Sequence, residues 1–192
     1  MKIVITAGGG GHFSPALAVM KKLEKQAEIL FIGRKYALEG DSALSLEYLT
    51  IQEMKIPFRT ITAGRLQRTL SLRSAKSLSK TPIGLFQALT ILRKEKPDVV
   101  LSFGGYIALP VTLAAKMLGI PVILHEQTMR AGLANRIAGK FAEKICLTFA
   151  SSAAYFPEER TIVTGTPLRE AFLHPRPLSG FTEKKPLIFI TG

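Results

Sequence analysis

The residues able to do chemistry cluster at a few points along the chain. His12 follows four consecutive glycines, Gly8 to Gly11, which separate an apolar run ending at Ala7 from a helical pattern opening at Pro15. Glycines between a strand and a helix leave a backbone that a ligand can approach closely. The unpaired N–H groups and positive dipole end of the helix favour phosphate at the same spot. His12 is the one side chain there able to move a proton near neutral pH. The same residues also fit a tight strand-to-helix turn with a histidine at its helix end. Further along come Ser102-Phe103-Gly104-Gly105-Tyr106, then Leu124-His125-Glu126-Gln127-Thr128, then Gly165-Thr166-Pro167-Leu168-Arg169. His125 beside Glu126 is either a second acid–base candidate or a satisfied strand-end histidine. His174, among prolines, has no chemical company.

The elements that must position these residues alternate. Apolar, strand-like runs cover 2–6, 29–32, 58–61, 99–102, 121–124, 144–147, 161–164 and 187–191. Helical patterns cover 15–26, 42–54, 82–94, 108–118 and 133–141. Continuous Val/Ile/Leu strands between amphipathic helices read as βαβ units around a parallel sheet. In such a fold the ligand crevice lies at the carboxyl ends of the strands. The four polar or glycine-rich segments each follow a strand, so the pattern gathers them on one rim.

Composition narrows the class. At 192 residues with 47% apolar content, the chain can bury a substantial core. Its one cysteine, Cys146, excludes an intramolecular disulfide and lies in an apolar run, as a buried structural thiol would. The apolar stretch before Gly8 is too short for a signal sequence, and the uncharged stretch 99–115 is broken by Gly104, Gly105 and Pro110. A cytoplasmic protein is expected.

The net charge of +12 is uneven: residues 1–54 are neutral, whereas 55–96 carry ten Lys/Arg against Glu95 alone. That excess points to an anionic partner, nucleic acid or a bilayer surface. With only Phe58 and Phe86 as aromatics in the segment, stacking on nucleic acid is poorly supplied. Residues 174–185 read as a linker, and 187–192 as a strand that begins a further unit.

Together these motifs resemble the MurG family, bacterial transferases that add N-acetylglucosamine to the undecaprenyl-linked muramyl-pentapeptide precursor of peptidoglycan. Ala7 to His12 resemble its first glycine loop, Ser102 to Tyr106 its second, Leu124 to Gln127 with Ala131 to Asn135 its third motif, and Gly165 to Arg169 the motif closing its N-terminal domain. Where the family has threonine this chain has Gly9, and where it has asparagines this chain has Thr128 and Thr166. The resemblance implies a Rossmann-like parallel sheet with helices on both faces, the N-terminal half of a two-domain GT-B glycosyltransferase. Residues 1–170 would be the acceptor-binding domain, 171–186 a linker, and 187–192 the first strand of the donor domain.

The resemblance also implies an inverting transfer from UDP-N-acetylglucosamine, with no cofactor and no metal-dependent step. His12 would be the general base, with His125 and Glu126 in reserve. Gly8, Gly9, Gly10, Gly11, Gly104, Gly105, Tyr106 and Gln127 would meet the acceptor and its pyrophosphate. Gly9, Gly10, Gly11, Thr128 and Arg169 would reach the UDP-sugar. In the basic stretch, Arg65, Leu66, Arg68, Leu70, Leu72, Arg73, Lys76, Lys80 and Phe86 would dock the protein peripherally on the anionic cytoplasmic face of the plasma membrane. The competing reading is a non-catalytic, membrane-anchoring acceptor subunit of a split transferase.

Overall fold

In the computed structural model the described residues are 1–37, 42–62 and 81–173. They form strands β1 (Lys2–Thr6), β2 (Glu28–Gly33), β3 (Phe58–Thr60), β4 (Val99–Ser102), β5 (Val122–Glu126), β6 (Lys144–Leu147) and β7 (Thr161–Val163). Between them lie helices α1 (Gly10–Leu23), α2 (Leu46–Glu53), α3 (Thr81–Glu95), α4 (Ala108–Met117) and α5 (Leu133–Gly139), with a last turn α6 (Glu170–Leu173). The strands make one seven-stranded sheet in the order β3-β2-β1-β4-β5-β6-β7, parallel throughout. The order reverses direction at β1, between β2 and β4. That switch point is where an open α/β sheet leaves a crevice.

Alternation along the central strands divides the core. Ile3, Ile5, Ile29 and Phe31 pack with Phe13, Ala16, Leu17 and Met20 of α1 and Ile51 of α2. Val4, Leu30, Ile32 and Val100 point to the other face, against Leu89 and Leu92 of α3 and Val111 and Ala114 of α4. Successive side chains of a strand point to opposite faces, so strands covered on both sides must be apolar at every position.

Most boundaries differ from the sequence pattern by a few residues, and three of the differences bear on the site. Helix α1 begins at Gly10 rather than near Pro15, which lies inside it; proline marks a first turn in many helices, and glycine runs mask one. Helix α2 begins at Leu46 because the Ser45 hydroxyl caps it, accepting from Tyr48 N at 3.1 Å. His125 and Glu126 belong to β5 itself, paired with Cys146 and Leu147 of β6. The uncharged stretch 99–115 is a buried strand, a glycine turn and part of α4. Among the described residues no helix is long and apolar enough to cross a membrane. Residues 170–173, at the start of the expected linker, are helical; the rest of that linker and the strand expected at 187–191 lie outside the described residues.

Candidate active site

The ends of β1, β2, β4 and β5 open into a cleft of about 570 Å³. Its floor is set by two backbone turns in contact. After β1, Gly8 N donates to Gly104 O at 2.9 Å. Gly105 has φ +86, and a Cβ there would stand 2.8 Å from Gly8 Cα and 2.9 Å from Gly8 O. Neither distance is open to a real side chain, so the turn after β1 and the turn after β4 can meet only with glycine at 105, while a Cβ on Gly8 would stand 3.2 Å from Gly105 Cα. The third motif locks onto them: a Cβ on Gly104 would lie 2.1 Å from Asn135 Oδ1. Buried Asn135, on α5, therefore fills the space that Gly104 leaves empty.

The remaining glycines do something else. Cβ atoms on Gly10 and Gly11 would meet nothing within 4 Å, so these two residues present bare backbone to open space. They open α1, whose preceding residue Gly9 provides no side-chain cap. First-turn N–H groups have no intrahelical acceptor and carry the positive end of the helix dipole. A phosphate fits that arrangement.

His12 stands in the same first turn and lines the cleft. Its Nδ1 lies 2.8 Å from Phe103 O. A carbonyl can only accept, so Nδ1 carries the proton and Nε2 keeps the lone pair. The Gln127 side-chain amide packs against the same Nδ1, while its Oε1 is otherwise buried without a partner.

Glu126 is buried at the end of β5 and fully engaged. Its Oε1 accepts from Thr128 N at 2.8 Å and from Thr128 Oγ1 at 2.6 Å, and its Oε2 accepts from Asn135 Nδ2 at 2.9 Å. It organises the cleft wall rather than standing free to take a proton. His125 is also buried, its Nε2 3.2 Å from Gly165 O, its Nδ1 without a partner, and its ring tilted against Phe103. That ring faces the segment after β7 and is not on the cleft wall.

Tyr106 and Thr128 line the cleft, as do Gly8 to Gly11 and Gly105. Arg169 does not; its guanidinium lies 5.0 Å from the Phe172 ring centroid. Cys146 is half-buried on β6, and burial pushes its thiol above the ordinary range, as suits an inert thiol. Of the expected membrane-facing residues only Phe86 is described. It is 70% exposed on α3 with Ile83 nearby at 51%, whereas Leu89 of the same helix is buried in the core. Arg65, Leu66, Arg68, Leu70, Leu72, Arg73, Lys76 and Lys80 lie outside the described residues.

Six cleft-lining residues are absent from the sequence-based set: Arg130, Gly132, Leu133 and Ala134, and two that hold other groups in place, Asn135 and Arg34. Asn135 was visible within a motif but had no assigned role. Arg34, which lines the cleft beside Tyr106, follows the last residue of β2 and so satisfies the strand-end rule that located the other motifs.

Comparison with known proteins agrees with this fold. The chain is 38% identical over its whole length to the UDP-N-acetylglucosamine–N-acetylmuramyl-(pentapeptide) pyrophosphoryl-undecaprenol N-acetylglucosamine transferase of Lachnospira eligens, covering 54% of that protein. It is 37% identical to the protein of the same name from Clostridium kluyveri, again covering 54% of it. The chain thus spans about half the length of the curated relatives it matches. Among solved structures, MurG of Acinetobacter baumannii superposes with a TM-score of 0.67 at 28% identity, over 93% of this chain and 47% of that one. The UDP-GlcNAc 2-epimerase of Neisseria meningitidis shares the fold, with a TM-score of 0.63 at 18% identity, over 90% of this chain and 49% of that one. The model of the glycosyltransferase family 28 N-terminal domain matches residues 3–147, from β1 through β6, and the chain belongs to that family.

Proposed function

We propose that this chain is the acceptor-binding half of an N-acetylglucosaminyltransferase acting on undecaprenyl-pyrophosphoryl-muramyl-pentapeptide, with UDP-N-acetylglucosamine as donor. The observation that carries the reading is His12, with its Nδ1 proton committed to Phe103 O on a residue that lines a glycine-floored cleft. The relatives' names supply the substrates, and the cleft supplies groups that suit them. Amides of Gly10 and Gly11 would hold the acceptor diphosphate at the start of α1. The acceptor hydroxyl would attack the anomeric carbon, the bond from that carbon to UDP would break, and the hydroxyl proton would pass to His12 Nε2.

The same reading places the protein peripherally on the cytoplasmic face of the membrane, held by the basic stretch 55–96 and by exposed Ile83 and Phe86. A sugar-transfer assay with radiolabelled UDP-N-acetylglucosamine, run alongside acceptor binding, tests the division of labour. The 192-residue chain should bind an acceptor analogue without turning over. Robust transfer by this chain alone, or no acceptor binding, would overturn the reading.

A further inference from the structure

The cleft carries a held cation that the roles assigned above do not use. Arg34 follows Gly33, the last residue of β2, and its backbone is clamped: Arg34 O accepts from Ser45 Oγ at 2.8 Å, and Lys35 O accepts from Ser45 N at 2.8 Å. Its side chain is one-quarter exposed and lines the cleft. Nη1 donates to the Tyr106 hydroxyl at 2.9 Å. Tyr106 follows β4, and in the sheet β1 lies between β2 and β4. The Arg34–Tyr106 bridge therefore spans the end of β1, where the glycine turn leads into the uncapped start of α1.

What fixes the charge is buried. Glu47 of α2 is 3% exposed, and its Oε1 lies 3.8 Å from Arg34 Nη2, within ion-pair range but beyond a hydrogen bond. That oxygen has no hydrogen-bond partner. The carboxylate thus holds the guanidinium by charge without occupying its donors. A guanidinium carries five N–H groups in a planar fork that matches phosphate, and the tyrosine hydroxyl takes one of them. A cation held across a glycine turn, beside first-turn amides of a helix, is a two-sided receptor for phosphate oxygens.

Resting on the acceptor-domain reading, we infer that Arg34 is a substrate-binding residue for the diphosphate of the lipid-linked acceptor, positioned by Tyr106 and Glu47. A nucleotide-sugar also carries a diphosphate, and the two sources separate by titration. Calorimetric titration of the 192-residue chain with a short-chain prenyl diphosphate, and separately with UDP-N-acetylglucosamine, reads both. Arg34→Gln should weaken the prenyl diphosphate by about tenfold to a hundredfold, the range of a charge-assisted hydrogen bond, and leave the nucleotide-sugar unchanged. Arg34→Lys should fall between, keeping the charge and losing the fork.

Removing the cation alone strands buried Glu47, so the paired variant Arg34→Gln with Glu47→Gln is measured beside it. It removes both charges at nearly constant shape and should show the same loss with a melting temperature near the parent's. Parent-level binding of the prenyl diphosphate by both variants would overturn the inference and leave the acceptor-domain reading standing. A loss confined to the nucleotide-sugar would overturn the assignment to the acceptor. Failure of the parent chain to bind prenyl diphosphate would overturn the reading and the inference together.

Discussion

His12 and Phe103 are joined by a 2.8 Å contact between the imidazole Nδ1 and a backbone carbonyl, and this contact decides which nitrogen is basic. The carbonyl belongs to the residue just after β4, so the first turn of α1 and the second glycine turn are tied at the imidazole itself. Replacing His12 with alanine, in an enzyme that pairs this domain with a donor half, should lower kcat by about 10²–10⁴-fold with little change in either KM, as for a lost general base. Steady-state kinetics on both substrates check it. An unchanged kcat would remove His12 from the chemistry.

The glycines divide by consequence. Gly105→Ala places a Cβ 2.8 Å from Gly8 Cα at a residue with φ +86 and should cost about 2 kcal/mol or more, with the two turns forced apart. Gly10→Ala meets no atom within 4 Å and lies in the first turn of α1, so it should stabilise the fold by about 0.5–1 kcal/mol. If the acceptor diphosphate rests on that turn, the same methyl should weaken its binding. Denaturant melts paired with prenyl diphosphate titration separate the two effects.

Much of the scaffold could be read without coordinates. The strands at residues 2–6, 99–102 and 144–147 are observed over those same residues, because three consecutive apolar residues in each have few alternatives to a doubly covered strand. Helix starts were less legible: Gly10 and Gly11 are poor helix formers, and α1 begins on them where the turn meets Gly104 and Gly105. The strand order was not legible, since apolar pattern says that strands pair in a sheet but not which are neighbours. Arg34 and Asn135 escaped for a related reason. Arginine and asparagine are ordinary in composition, and only the approach of β2 to β4 across β1, or of α5 to Gly104, reveals what they hold.

Glu126 accepts three hydrogen bonds while buried, two from Thr128 and one from Asn135. Glu126→Gln substitutes an NH₂ for one acceptor oxygen and sets donor against donor, which should cost about 1–3 kcal/mol. Combining it with Asn135→Asp restores a donor–acceptor pair and should recover at least half of that loss in a denaturant melt. No recovery would mean that the contact between Asn135 and Gly104, rather than the Glu126 pairing, sets the cost.

At the other end of β1 from the glycine turn, Lys2 Nζ sits 2.8 Å from Glu95 Oε2, and Arg59 holds Glu95 Oε1 at 2.8 Å. Lys2 foremost, with Arg59 adding to it, keeps the Glu95 carboxyl below its ordinary range; Glu95 in turn raises Lys2. A depressed carboxylate stabilises the fold above its unfolded value, near 4.3, and the benefit is lost as pH falls through the folded value. The raised lysine contributes below its unfolded value, near 10.4, and fades as pH rises through the folded one. Glu95→Gln should therefore melt lower than the parent at pH 7, by about 1 kcal/mol for a partly exposed pair, and the gap should close towards pH 3. A gap that persists at pH 3 would assign the effect to packing.

The proposed membrane docking rests on charge and on two exposed apolar side chains. Residues 55–96 carry a net charge of +9, and α3 presents Ile83 and Phe86 outward while burying Leu89. Attraction to an anionic leaflet is screened over about 10 Å at 0.1 M salt, whereas apolar insertion is not. Flotation with anionic vesicles should weaken as salt rises and yet persist. Reversing Arg65, Arg68, Arg73 and Lys76 to glutamate turns the segment net positive by only one charge and should abolish flotation while circular dichroism stays unchanged. Replacing Ile83 and Phe86 with serine should remove the salt-resistant part alone. A charge-reversed protein that floats as well as its parent would place the docking surface elsewhere.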